Sequence, residues 1–114
     1  MLTSGDVVTV VLGPLDAPRG GLPAPAVVVT AQRLLDASPS VVHVVPLTST
    51  RRGFGSEADI DADQHNGLLH DSSAQCQHAG AVAPGRLDIP LGNVGGASLA
   101  EVREVLGLIL DLPT

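Results

Sequence analysis

At 114 residues, 44% of them apolar, the chain suits one packed domain, and its core has to be aliphatic because Phe54 is the single aromatic residue. Twelve acidic residues against six basic ones leave a formal charge of -6, which excludes a binder that holds nucleic acid by an overall positive field. All six basic residues are arginines, so any RNA-directed role needs them gathered on one face.

Residues 7–12 form an apolar run broken only by Thr9, set between Gly5-Asp6 and Gly13-Pro14, and read as a buried strand. Residues 15–24, with repeated prolines and Gly20-Gly21, read as a loop. Residues 26–30 are a second apolar strand with Pro25 at its edge, where a missing N–H does little harm. Residues 31–37 have room for one helical turn. Residues 41–47 give a third strand, apolar except for His43, which is expected to be buried or interfacial, with Pro46 marking an edge or bulge. Residues 48–55 read as a polar loop carrying Arg51 and Arg52. Residues 56–61 read as a short outer strand in which Ala58 and Ile60 alternate with acids, so the acids from Glu57 to Asp63 are expected on a solvated face. A turn follows around Asn66-Gly67, then a strand over 72–78, a turn at Gly85-Arg86, a short strand near 87–91 and a loop over 92–96.

The last element is a helix. Ser98-Leu99-Ala100-Glu101 has the form of a capping box, in which the Ser98 hydroxyl accepts from the backbone and Glu101 reaches back. Leu99, Val102, Val105, Leu106, Ile109 and Leu110 recur as one apolar stripe, and Pro113 prevents continuation. The expected architecture is mainly β: five to seven short strands and one C-terminal helix packed on them, in a single domain over 1–114. Cys76 stands alone, so no internal disulfide forms and a reducing compartment is the easier reading. The start lacks a basic segment followed by an apolar one, and no apolar run reaches the roughly 18 residues of a membrane span, so a cytoplasmic location away from the membrane is expected.

Four stretches in this order resemble the MazF/PemK toxin family. Gly5-Asp6-Val7-Val8 resembles its opening strand and Gly13-Pro14 the turn after it. Pro25-Ala26-Val27-Val28-Val29 resembles its "RPAVVV" strand, Val44-Val45-Pro46-Leu47-Thr48-Ser49 its "VVPLTS" segment, and Gly67-Leu68-Leu69-His70-Asp71-Ser72 its "GLxxDS" segment. The resemblance implies an SH3-like small β-barrel, a homodimer, and sequence-selective cleavage of single-stranded RNA without metal or other cofactor, leaving 2′,3′-cyclic phosphate and 5′-OH ends. It also implies a cognate antitoxin whose acidic, partly disordered tail covers the RNA site. Two alternatives stay open. Related CcdB-type toxins share the barrel but bind DNA gyrase, and a degenerate toxin would only titrate an antitoxin.

Metal-free RNA cleavage has to deprotonate the 2′-OH, stabilise charge on phosphorus and protonate the leaving 5′-oxygen. The resemblance places Thr48 at the family's active-site threonine, where its hydroxyl would hold the scissile phosphate. It places Ala24 at the family's active-site arginine, and Arg19, five positions earlier, at an acidic residue that some members use. Arg19 is therefore the candidate guanidinium, paired with Thr48 as the catalytic set. Ser49, Arg51 and Arg52 follow as candidate RNA contacts. Gln77 and His78 join them, because they stand near the place of an Arg-x-Asp pair in some members; Gln77 offers a base-reading amide and His78 a proton-exchanging ring. Plainer accounts are a turn at Thr48-Ser49, exposed loop arginines and a structural histidine. Cys76 reads as a small core residue. His43, His65, His70, His78 and Asp71 match no zinc spacing, so no metal site is expected.

Overall fold

The computed structural model describes residues 2–11 and 23–113. Asp6–Val11 (β1), Pro23–Val28 (β2) and Val42–Thr48 (β3) form the centre of an antiparallel sheet. Glu57–Ile60 (β4), Ser72–Gln75 (β5), Gly80–Val82 (β6) and Gly92–Asn93 (β7) complete it. The order is β4-β5-β3-β2-β1-β7, with β6 also on β3. β3 changes partner along its length: Val42 pairs with Val82 and Val44 with Gly80, whereas Leu47 pairs with Ala74 and Thr48 with Ser73. This change carries the sheet round into a curled half-barrel.

Both faces of the central strands are covered, which is why they read as near-continuous apolar runs. Val7, Val27, Val45 and Leu47 face one core with Ala58, Ile60 and Ala74. Their neighbours Val8, Val10, Ala26, Val28, Val42 and Val44 face a second core with Leu35, from the short helix Gln32–Leu35 (α1). Each buried valine, leucine or isoleucine among them gains about 1.5–3 kcal/mol from leaving water. The C-terminal helix Gly95–Ile109 (α2) closes the first core with Leu99 and Val102, and Val105 and Leu106 pack beside them. Cys76 is buried there as a small core residue, its thiol directed at the Ala74 and Val102 carbonyls at 3.7 Å. No helix among the described residues is long and apolar enough to cross a membrane.

Several boundaries differ from the sequence expectations, each for a local reason. β2 begins at Pro23 instead of Ala26, so Pro25 lies inside the strand; β3 pairs with β2 only from Ala26 onward, which leaves Pro25 an open flank. His43 is exposed, because Val42 and Val44 turn inward on either side of it. The strand expected over 72–78 stops at Gln75, and Cys76–His78 form a 3₁₀ turn that sends the thiol inward. Residues 87–91 follow β1 irregularly instead of forming a strand. The Asp88 and Leu91 amides reach the Thr9 and Val7 carbonyls at 3.1 and 2.8 Å, but Pro90 has no N–H to add.

The capping box does not form. α2 starts at Gly95, where the Asn93 Oδ1 accepts the Gly95 amide at 2.8 Å, so Ser98 lies within the helix. The Asn93 Nδ2 donates to the Ser4 carbonyl and to the buried Asp6 carboxylate, both at 3.0 Å, tying the helix start to β1. The expected loop over 15–24 and the Gly13-Pro14 turn fall almost entirely outside the described residues, as does Arg19.

Candidate functional site

The N-terminal end of β2 and the C-terminal end of β3 meet at one side of the sheet. Ala26 pairs with Pro46, and extending that register by two residues sets Ala24 level with Thr48. Both line a cleft of about 490 Å³ whose other walls include Thr9 of β1, Ser49 and the turn over 67–70. That turn is held rigidly. The buried Asn66 accepts the Leu68 amide at 3.0 Å and donates to the Asp61 carbonyl at 2.8 Å. Gly67 has φ +70°, and a β-carbon there would lie 2.4 Å from the Leu91 carbonyl oxygen. Only glycine allows this approach, and it sets Leu68, Leu69 and His70 along one rim of the cleft with Leu91 beside them.

The floor and rim are mostly hydroxyls and aliphatic carbon. The half-buried Thr48 accepts the Thr50 amide through its Oγ1 at 3.2 Å, which shapes the turn after β3 and leaves its O–H free to donate. Ser49 is exposed at the same edge. The Ser72 hydroxyl donates to the His70 carbonyl at 2.9 Å, fixing the chain between the rim and β5. Leu69 is 91% exposed.

The other expected RNA contacts lie apart from this cleft. Arg51 donates to the Ser72 carbonyl at 3.2 Å and pairs with Asp61 at 2.8 Å, outside the lining. The Asp61 hydrogen bond, with help from Asp59 and Asp71, raises the Arg51 pKa above its ordinary value. Arg52 pairs with Glu57 and lies over the Phe54 ring, 4.5 Å from its centroid. Gln77 donates to the same Glu57 carboxylate at 2.7 Å. Burial pushes the Glu57 carboxyl up, but the hydrogen bonds from Gln77 and Arg52 outweigh it and leave its pKa below the usual value. Glu57 was expected on a solvated face, yet its side chain is 1% exposed, because these two residues cover it. His78 is exposed at the end of the 3₁₀ turn.

Thr48 and Ser49 are thus brought together, while Arg52 and Gln77 form a separate cluster on Glu57. His70 is the one ionisable residue lining the cleft among the described residues, and its sequence pattern suggests no role beyond metal ligation. The available signal was its position two residues before the strand that pairs with the end of β3. A second concavity, between β4 and α2, is lined by Glu57, Asp59, Glu101 and Glu104, the wrong charge for phosphate. Among the described residues no three His, Cys, Asp or Glu side chains converge as metal ligands.

Comparison with known proteins identifies the family and the fold. A sequence model of the family described as "PemK-like, MazF-like toxin of type II toxin-antitoxin system" matches residues 3–110. The Mycobacterium tuberculosis protein named endoribonuclease MazF9 is 32% identical over 116 aligned positions, covering 98% of each chain. The structure of the Mycobacterium tuberculosis toxin MazF-mt6 matches with a TM-score of 0.77 at 22% identity, covering 96% of this chain and 99% of its own. A mycobacterial endoribonuclease solved in complex with its cognate antitoxin matches with a TM-score of 0.78 at 19% identity, over 100% and 99% of the two chains. These structural likenesses establish the shared fold.

Proposed function

Since the chain belongs to the PemK-like, MazF-like toxin family of type II toxin–antitoxin systems, we propose that it is an endoribonuclease that cleaves single-stranded RNA at the cleft beside Thr48. The observation that carries this reading is the convergence of Thr48, Ser49 and Thr9 with Ala24, the position of the family's arginine, around one open cavity. The Thr48 and Ser49 hydroxyls donate to the non-bridging oxygens of the scissile phosphate, and the exposed Leu69 and Leu91 give flanking bases an apolar surface. Arg19, four residues before Pro23 at the start of β2, supplies the guanidinium that Ala24 lacks. Arg51 and Arg52, next in the chain after the Thr48–Thr50 turn, meet backbone phosphates only by exchanging the carboxylates of Asp61 and Glu57 for them.

Attack by the neighbouring 2′-hydroxyl forms the bond to phosphorus and expels the 5′-oxygen, leaving 2′,3′-cyclic phosphate and 5′-OH ends. The toxin works in the cytoplasm, as a homodimer built on the exposed apolar end of α2, where Leu108 is 70% and Leu110 64% exposed. A cognate antitoxin neutralises it, as the relative captured with its antitoxin illustrates.

The test is incubation of purified protein with a single-stranded oligoribonucleotide in EDTA, with mass analysis of the ends. Cleavage to cyclic phosphate and 5′-OH products is expected. Intact RNA at high protein concentration, together with inhibition of gyrase supercoiling, would overturn the reading in favour of a CcdB-like toxin. Sedimentation of a monomer at micromolar concentration would remove the dimer.

A further inference from the structure

We propose that His70 is the catalytic base of this cleft, taking the proton from the attacking 2′-hydroxyl; the inference rests on the nuclease reading above. The hydroxyls of Thr9, Thr48 and Ser49 can orient a phosphate but cannot accept a proton near neutral pH, whereas an imidazole does so between about pH 5 and 8. All four histidines lie among the described residues. His43 is on the exposed side of β3, His65 lies beside Gln64, His78 ends the 3₁₀ turn, and His70 alone lines the cleft. No hydrogen bond or ion pair among the described residues engages its ring, so both nitrogens remain available to a ligand. Its backbone is nevertheless held: the His70 carbonyl accepts the Ser72 hydroxyl, and the rim is anchored where Gly67 meets Leu91.

Thr9 from β1, Pro25 from β2, Leu47 and Thr48 from β3, and Leu91 from the irregular segment are uncharged. The adjacent Asp71 carboxylate accepts the Ala62 amide at 2.8 Å and lies in the field of Arg51, which itself pairs with Asp61. An unprotonated imidazole nitrogen takes the 2′-OH proton as the O2′–P bond forms and the P–O5′ bond breaks. The leaving 5′-oxygen takes a proton from water, and the imidazolium returns its own to the solvent, restoring the starting state.

The test compares wild type with His70→Ala and His70→Gln in single-turnover cleavage of an oligoribonucleotide from pH 5 to 9. A 2′-O-methyl analogue, which binds but has no proton to lose, reports affinity separately. The expected result is a fall of about 100-fold or more in cleavage rate with analogue affinity held within about threefold. The rising acid limb of the wild-type profile should disappear, and free imidazole should restore part of the activity of His70→Ala. Cleavage by the variants at the wild-type rate and with the wild-type pH profile overturns the inference and leaves the nuclease reading intact. A loss of analogue affinity that matches the loss of rate also overturns it, making His70 a binding contact. Wild-type protein that leaves RNA whole overturns both.

Discussion

Gly67 and Gly53 share the same backbone angle, φ +70°, but differ in their surroundings. A β-carbon at Gly53 meets nothing within 4 Å, whereas at Gly67 it lies 2.4 Å from the Leu91 oxygen and 2.9 Å from the Leu91 carbonyl carbon. Replacing either by alanine forces an L-residue into the left-handed region, at a cost of about 1–2 kcal/mol. Gly67→Ala adds an overlap about 1 Å inside an ordinary C···O contact. Its neighbour is backbone, and the Leu91 amide is already committed to the Val7 carbonyl at 2.8 Å. Relieving such an overlap costs about 1–3 kcal/mol more. At about 4 °C per kcal/mol for a domain of this size, Gly53→Ala should lower Tm by about 4–8 °C and Gly67→Ala by about 8–20 °C. The rim would also shift by about 1 Å, enough to reduce cleavage about 100-fold in Gly67→Ala while Gly53→Ala stays active. Calorimetry and a cleavage assay on the pair provide the check. Equal Tm values and equal activities would refute the claim that the approach of Gly67 to Leu91 builds the cleft.

Other consequences follow from the same structure. Burial pushes the Cys76 thiol up to about 11, so it should resist thiol reagents at pH 8 until the chain unfolds. Because the unfolded thiol ionises first, stability should fall as pH rises from about 8.5 toward 11, and Cys76→Ala should flatten that limb of a pH series of urea melts. The Glu57 carboxyl is held below its usual value, so its contribution is full above about pH 4.5 and is lost as pH falls further; Glu57→Gln should be less acid-sensitive than wild type in pH-jump unfolding. α2 ends in a Schellman arrangement, with the Leu112 amide on the Gly107 carbonyl at 2.8 Å and Asp111 at φ 53°. Asp111→Gly should raise stability by about 0.5–1 kcal/mol in urea denaturation.

The central strands were legible because burial on both faces left a signal that needs no partner to read: largely apolar runs at residues 7–12, 26–30 and 41–47, each overlapping an observed strand. β6 and β7 were not, because three and two residues carry no period and glycine contributes no side chain to either pattern. The capping box at Ser98 was a sound local signal overridden by Asn93, whose amide also has to satisfy Ser4 and Asp6 far away in the chain. The place of Thr48 at the end of β3 was legible through its motif. His70 was not, because its place in the cleft depends on Gly67 meeting Leu91, 24 positions later. Arg52 and Gln77 looked free in sequence, and only the fold shows Glu57 turning under them.

The proposed reading has the phosphodiester cut where the hydroxyl at the end of β3 enters the cleft. Single-turnover cleavage by wild type, Thr48→Ser and Thr48→Ala tests it most directly. Losing a hydrogen-bond donor to the reacting phosphate should slow Thr48→Ala about 100-fold or more, while Thr48→Ser, which keeps the hydroxyl, retains most of the rate. Equal rates for all three proteins, each folded as judged by circular dichroism, would remove the Thr48 hydroxyl from the reaction.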